Sequence, residues 1–411
     1  MTAIRLAILI VAALAVAQVN EWKPLDQLIA AGIVLLIITY LWSRQSVRSI
    51  AMTRRSSDRG QVGNLVSDQI TIENRGRLGK LWLEVRDQSS LPGHNSSRVV
   101  NVRGRTRTEW GTQSICSRRG RFQFGPVSLR SGDPFGLFSI RMPVLSTVDV
   151  LVYPAVVDLP WFALPASTLS GGPVPDRRTQ MSTPMVTGIR DYVQGDAYNR
   201  ISWTATARLS RLMVKEFDID PTSDVWLILD LDHQYRAYAY DHQETFAGGG
   251  DSTAIEQWLD STEEYAVTVA ASIARSCLNQ GRGVGMIATG AHYEVIQAEN
   301  SDRTYIKVLE ALSVVSADGY RPLAEVLVAE SRRFNRNSSL IVITSSTDPN
   351  WIEALTMITS RRVQASVVFI DRSSFDEAND GSNVLERLKN TRVRTYELNY
   401  GDLLANVLRS T

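Results

Sequence analysis

Apolar positions follow three rhythms along the chain, and each rhythm predicts a different kind of element. Near the amino terminus, Ile4–Val19 is almost unbroken aliphatic sequence with one early charge, Arg5. A second run, Leu25–Trp42, is interrupted only by Asp26 and Gln27. The second has the length a helix needs to cross a bilayer, roughly 20 residues, and the first is marginal. The short polar stretch Asn20-Glu21-Trp22-Lys23-Pro24 between them forces antiparallel crossing. The pattern therefore predicts a transmembrane helical hairpin over residues 1–45, with Trp22, Tyr40 and Trp42 as interface anchors. Arg44, Arg48, Arg54, Arg55 and Arg59 follow at once and read as a basic juxtamembrane linker over residues 46–59. By the positive-inside rule both ends of the hairpin and all the soluble sequence face the cytoplasm, from a plasma membrane. Two other readings stay open. Ala15-Val16-Ala17 suits a signal-peptide cleavage, which would leave Leu25–Trp42 as a stop-transfer segment, and the two runs also suit buried helices of a soluble core.

Residues 60–160 alternate with period two. Gln69–Glu73, Lys80–Arg86 and Arg121–Phe124 switch strictly between apolar and polar side chains, separated by turn-forming clusters such as Leu91-Pro92-Gly93-His94-Asn95. This is the signature of antiparallel strands with one wet face, and predicts a β-sandwich-like domain. Residues 161–222 break both rhythms. From 223 to 411 continuous apolar strands (Val225–Asp230, Val284–Ala288, Leu340–Thr344, Ala365–Ile370) separate amphipathic stretches. Those at Thr253–Asn279, Pro322–Phe334, Trp351–Ser360 and Asp380–Lys389 read as helices. Strands apolar on both faces between such helices predict an α/β domain built on a parallel sheet.

Composition removes several function classes. With 44 basic and 43 acidic residues the net charge is +1, which gives nucleic acid no electrostatic foothold. Cys116 and Cys277 are too few and too far apart for a disulfide framework or a zinc site, and both fall in apolar patterns that make them packing residues. Gly248-Gly-Gly-Asp-Ser-Thr253 lacks the lysine of a phosphate-binding loop, so Asp251 or Ser252 reads as a helix cap. The four histidines give no local nucleophile–base pair.

Two stretches carry unusual density. The first is Arg118-Arg-Gly-Arg-Phe-Gln-Phe-Gly-Pro to Leu129-Arg and Asp133-Pro-Phe-Gly-Leu-Phe138, a strand, a tight turn and another strand. The second runs from Gly188 to Phe217, where Arg190, Asp191, Asp196, Arg200, Arg208, Lys215 and Glu216 alternate in sign around Tyr192, Ile201 and Trp203. Arginine is favoured in such blocks because its planar fork binds carboxylates bidentately. We expect either a salt-bridged clamp between the two soluble parts or a partner-docking surface, with Arg190, Asp191, Tyr192, Asp196, Arg200, Trp203 and Arg208 as its residues.

Together these two blocks closely resemble the domain-of-unknown-function-58 family of bacterial membrane proteins. The resemblance implies a transmembrane hairpin, a β-domain and a von Willebrand factor A-like domain with a Rossmann-like parallel sheet. It also implies association with MoxR-type AAA+ ATPases and with other von Willebrand A proteins, but no reaction. Domains of that kind hold Mg²⁺ through Asp-x-Ser-x-Ser and a loop threonine, hard oxygen ligands for a hard cation. Here the first element reads Asp230-Leu-Asp232-His233-Gln234, without either serine, and Arg321 falls about where the threonine belongs. The expectation is a degenerate site (Asp230, Asp232, Gln234, Arg321, Ser345) that takes no metal or other cofactor and is closed by an ion pair from Arg321 to Asp230 or Asp232.

The sequence thus points to a membrane-anchored, non-enzymatic interaction protein in the lipid bilayer, working with a MoxR-type ATPase in envelope assembly or maturation. The alternative is a Mg²⁺-dependent binding protein or enzyme using Asp230 and Asp232.

Overall fold

A computed structural model of the chain describes Arg5, Ile8, and residues 11–12, 23–144, 146–162, 186–193, 201–217, 224–239, 255–335, 338–376, 382–391 and 393–409. They divide into two compact units, Met1–Ala155 and Val156–Thr411.

The first unit begins with helix α1 (Lys23–Ser46), with Asp26 in its first turn and Arg44 in its last, charges that oppose the helix dipole at each end. Its apolar residues point outward on several sides: Leu28, Val34, Ile38 and Leu41 are all more than half exposed. Among the described residues, α1 is the one helix long and apolar enough to cross a membrane. Most of the first apolar run lies outside the described residues, and the expected hairpin with it.

Ten strands follow: β1 (Ile50–Ser56), β2 (Arg59–Gln61), β3 (Leu65–Asn74), β4 (Lys80–Asp87), β5 (Arg98–Val102), β6 (Arg107–Ile115), β7 (Gly120–Phe124), β8 (Val127–Gly132), β9 (Ser139–Val144) and β10 (Val148–Tyr153). They form sheets ordered β1-β3-β6, β5-β4-β8-β9 and β2-β10-β7. Ile70, Ile72 and Trp110 of the first sheet share a core with Leu83, Val85, Val100, Val102, Val127 and Leu129 of the second. The alternation read from Gln69–Glu73 is the inner–outer alternation of β3, whose even positions from Val66 to Asn74 are buried.

One boundary is corrected. The stretch assigned to a basic linker at residues 46–59 contains β1, which pairs antiparallel with β3 from Ile50↔Asn74 to Ser56↔Asp68. Three consecutive polar residues at 53–55 obscured it. Arg54 belongs to the inward parity of that strand and is spent on buried ion pairs, so it drops out of the positive-inside argument.

The second unit holds a hairpin, β11 (Val186–Asp191) with β12 (Met213–Phe217), joined through a short helix α2 (Trp203–Leu209). Its main body has strands β13 (Val225–Asp230), β14 (Val284–Thr289), β15 (Tyr293–Glu299), β16 (Ser339–Thr344), β17 (Gln364–Ile370) and β18 (Arg394–Leu398). Helices α3 (Thr262–Asn279), α4 (Asp302–Val314), α5 (Leu323–Glu330), α6 (Asn350–Ser360), α7 (Ser382–Lys389) and α8 (Leu404–Val407) complete it. The sheet order is β15-β14-β13-β16-β17-β18, with β15 antiparallel on one edge and every other pairing parallel. All six residues of β13, β14 and β16 are buried, as continuous apolar strands require when both sheet faces are covered.

The long helix expected from Thr253 begins later. Ile255–Trp258 is a single 3₁₀ turn, and Ser261 caps α3 by accepting the Glu264 N–H at 3.3 Å. The expected caps Asp251 and Ser252 lie outside the described residues. Cys116 and Cys277 are both free and buried, and burial pushes the Cys277 thiol up to about 12.

Candidate functional site

Strand order reverses between β13 and β16, and open α/β sheets bind ligands at the carboxyl ends of strands beside such a switch point. Asp230 ends β13 there. Its Oδ2 accepts the hydroxyl of Thr344, the last residue of β16, at 2.6 Å. The side chain is 5% exposed, and burial pushes its carboxyl up to about 6, with Asp232 adding like-charge repulsion against the help of the Thr344 hydroxyl. Asp232 is also buried. It caps the 3₁₀ turn His233–Tyr235 by accepting the Gln234 N–H at 3.1 Å, and its Oδ1 lies 3.3 Å from His233 Nδ1.

The chain reaches this geometry through a close backbone approach. The Gly319 and His233 N–H groups donate to the carbonyls of Leu231 (3.0 Å) and Gly319 (2.9 Å), tying the loop before α5 to the end of β13. A Cβ on residue 319 would lie 2.2 Å from the Thr289 carbonyl oxygen, so only glycine fits. Ser345 donates to the Tyr235 carbonyl at 2.9 Å, and the Arg372 guanidinium lies 5.6 Å from the Tyr235 ring. Tyr320, 78% exposed, packs at a 46° tilt against His233 with ring centroids 4.3 Å apart.

The structure brings Asp230, Asp232, Gln234 and Ser345 together, but not Arg321. Its guanidinium sits over the Tyr293 ring, 5.0 Å from the centroid, and it makes no ion pair with Asp230 or Asp232. Tyr293, the first residue of edge strand β15, holds that guanidinium over its ring as a cation–π partner. The expected closing ion pair is therefore corrected to a hydroxyl–carboxylate contact from Thr344. The residues do not fit the Mg²⁺ site implied by the family resemblance either. Asp232 and Gln234 occupy the two serine positions of the usual motif, and one oxygen each of Asp230 and Asp232 already accepts a hydrogen bond, from Thr344 and from the Gln234 N–H.

The described part of the charged block lies at the surface. Asp191 pairs with Arg211 at 3.2 Å, each side chain about 60% exposed, and Trp203 is 67% exposed at the start of α2. The Tyr192 N–H donates to the Leu212 carbonyl at 3.0 Å, and Arg208 is exposed. Asp196 and Arg200 lie outside the described residues, as does the side chain of Arg190.

The first unit contains a charged cluster that reading by sequence distance missed. Arg54 donates to both oxygens of Asp68 (2.9 and 2.8 Å) and of Asp87 (both 2.9 Å). His94 Nε2 lies 3.3 Å from Asp68 and 3.4 Å from Asp87, and all four side chains are fully buried. Ser56 and Ser96 donate to Asp68, each at 2.6 Å, and Phe124 stacks on the His94 ring at 4.1 Å. Burial disfavours every charge here. Hydrogen bonds from His94 and Arg54 nonetheless hold both carboxyls below their usual range, and those two carboxylates raise His94 above its own. Strand parity was the available signal, because Met52, Arg54 and Ser56 share one face of β1.

Residues 188–399 match the family described as "Protein of unknown function DUF58", and the chain belongs to it. It is similar to the uncharacterized protein YeaD of Bacillus subtilis, 23% identical over 67% of this chain and 62% of the relative. It is also similar to the uncharacterized protein Rv1480 of Mycobacterium tuberculosis, 23% identical over 51% and 62%. The chain thus spans less than two thirds of either relative's length. Among solved structures, the CARDB domain of PF1109 from Pyrococcus furiosus matches 25% of this chain and 94% of its own at 16% identity. Its TM-score of 0.19 is too low to carry a fold assignment.

Proposed function

We propose that this chain is a membrane-tethered interaction protein that presents a von Willebrand factor A-like domain to the cytoplasm. It would act there with a MoxR-type AAA+ ATPase on envelope components. The observation that carries this reading is α1, apolar on its exposed sides and leading directly into a folded β-unit through Arg44 and Arg48. The same proposal includes a second span in the first apolar run, which would leave both ends on one side.

The sheet order, with its antiparallel edge strand, supports the von Willebrand A-like assignment. The switch-point crevice supports binding rather than catalysis, because its carboxylates are engaged with neighbouring hydroxyl, amide and imidazole groups. Around it stand Tyr320, Tyr238 and His233, exposed side chains suited to docking a partner. The exposed Trp203 and Arg208 of the charged block suit the same role. Association is proposed to need no divalent ion.

Affinity capture from membranes, with ATP present and absent, tests the proposal. We expect recovery of an AAA+ ATPase that depends on nucleotide. Recovery of no ATPase in either state would overturn the partnership. Tight Mg²⁺ binding by calorimetry, lost in Asp230→Ala, would favour a metal-dependent site instead. A reporter fused after Thr411 should behave as cytoplasmic, and active alkaline phosphatase there would reverse the topology.

A further inference from the structure

We propose that the β-unit is not merely hung from α1 but rests on the bilayer, with a built aromatic edge around Trp82 and Phe135 inserted into the lipid headgroup region. This inference rests on the reading that α1 crosses the membrane.

The edge begins with a bulge in β4. Lys80 pairs with Val102 and Leu83 with Val100, so Leu81 and Trp82 together oppose the single residue Asn101. An extra residue of this kind breaks the inside–outside alternation and re-aims side chains. Leu81 and Trp82, which a regular strand would point to opposite faces, are 55% and 71% exposed. Trp82 has φ +49°, a left-handed conformation costly for a bulky residue, and its N–H donates to Asn101 Oδ1 at 2.8 Å. A fold that merely needed a strand there would not hold a tryptophan in that conformation to keep it in water.

A second device stands beside it. Asp133 accepts the N–H groups of Phe135 (3.0 Å), Leu137 (3.3 Å) and Phe138 (2.5 Å), tying the turn between β8 and β9 so that Phe135 stands at its tip, 66% exposed.

Both devices lie at the carboxyl end of α1. Trp42 of α1 lines one groove of about 350 Å³ with Leu81, Trp82, Pro134 and Phe138, and Tyr40 packs edge-on against Phe138 at 5.6 Å. Lys80 donates to the Gln45 carbonyl at the helix end. The β-unit edge is therefore level with Tyr40 and Trp42, the aromatic pair that marks where α1 leaves the bilayer.

The surrounding charge suits lipid better than a protein core. Arg44, Arg77, Arg130 and Arg141 are exposed at this end, and Arg130 and Arg141 face each other across β8 and β9. Tryptophan and phenylalanine ringed by arginine are the residues of a membrane interface, where the ring meets the acyl boundary and the guanidinium meets phosphate. The occupant is accordingly the headgroup layer of the same bilayer that α1 enters, preferably an anionic one.

The test uses the full chain in liposomes of phosphatidylcholine and phosphatidylglycerol carrying a lipid spin-labelled near the headgroup. An environment-sensitive fluorophore is placed on single new cysteines: Trp82→Cys, Phe135→Cys, Val34→Cys within α1, and Asn64→Cys at the far end of β3. Cys116 and Cys277 are buried and stay unlabelled in folded protein. We expect blue-shifted, lipid-quenched emission at 34, 82 and 135, with 64 remaining in water. Quenching at 34 but aqueous emission at 82 and 135 would overturn the inference and leave the anchor intact. Labels at 82 and 135 shielded from aqueous iodide yet not quenched by lipid would assign the edge to a protein partner and equally overturn it. Aqueous emission at 34 would overturn the membrane-spanning reading itself, and the inference with it.

Discussion

The two units each bury a pair of aspartates, and they resolve the same electrostatic problem in opposite ways. In the β-unit, Asp68 and Asp87 share one guanidinium and one imidazole, and their carboxyls are driven below the usual range despite burial. In the α/β-unit, Asp230 and Asp232 have hydroxyl, amide and a half-exposed His233 for company, and burial drives Asp230 upward to about 6. Burial is common to both. What decides the sign is whether a cation is buried with the carboxylates. The first arrangement is a structural knot in which both carboxylates are bridged by Arg54 and lie beside His94. The second leaves a buried carboxyl without a cation at the carboxyl end of a central strand, held by the Thr344 hydroxyl.

The largest effect should come from cutting the knot. Arg54→Ala leaves two buried carboxylates facing each other, and removing one partner of such a network costs about 3–5 kcal/mol. Chemical denaturation of the β-unit, followed by Trp110 burial, should show a loss of that order, and a loss under about 1 kcal/mol would mean the network is solvated. The pH response has two limbs. Asp68 and Asp87 are depressed, so their contribution is complete above the unfolded value near 3.8 and is lost as pH falls through their lower folded values. His94 is raised, so its contribution is complete below 6.5 and is lost as pH rises through its folded value. Stability should therefore be greatest between these limits, and His94→Gln should abolish the alkaline limb and weaken the acid one, because His94 also helps hold both carboxyls down.

Neither network was legible as a network in the sequence, although most of the fold was. Period-two alternation located β3 and β7, and continuous apolar runs located β13, β14, β16 and β17 because burial on both faces leaves no other pattern. Arg54 failed because proximity to a hydrophobic run invited a membrane reading, whereas its parity within β1 placed it inside. His94, Asp87 and Asp68 come from a loop and two different strands, and only strand pairing brings them together. Arg321 failed for a related reason: β15, whose Tyr293 captures it, has too irregular an alternation to be recognised as a strand. The resemblance to the family carried the order of the domains but not these contacts.

The next effect belongs to Asp230. A carboxyl moved by folding from 3.8 to about 6 corresponds to about 3 kcal/mol. Because the folded state binds the proton more tightly, this burden is absent at low pH and grows as pH rises from about 4 to 6. Asp230→Asn keeps an oxygen for Thr344 and removes the charge, so the α/β-unit should gain stability at pH 7 and little at pH 4. An equal change at both values would show that the carboxyl is not carrying an unfavourable charge. Smaller again, Gly319→Ala forces the backbone away from the Thr289 carbonyl, and we expect a loss of about 1–3 kcal/mol typical of overpacking. Hydrogen exchange should localise it to the Gly319 and His233 amides, and exchange unchanged at both would mean the loops do not depend on that approach.

The smallest effect is the most discriminating, because it concerns the one cation that sequence assigned to the second pair. If Arg321 neutralised Asp230 or Asp232, Arg321→Ala would reproduce in the α/β-unit what Arg54→Ala does in the β-unit. The geometry says otherwise: the guanidinium lies over Tyr293 on the edge strand, a partly exposed cation–π contact worth about 0.5–1 kcal/mol. Arg321→Ala should therefore cost no more than that and leave the pH dependence governed by Asp230 where it was. Its signature should appear at Tyr293 instead. Burial and Glu330 already push that phenol up to about 12, and Arg321 pulls against them, so removing the guanidinium should raise it further. Ultraviolet titration comparing Arg321→Ala with Arg321→Ala/Tyr293→Phe isolates that one phenol. A shift of the Asp230 limb in place of the tyrosine signal would restore the ion pair and make the two acidic pairs alike after all.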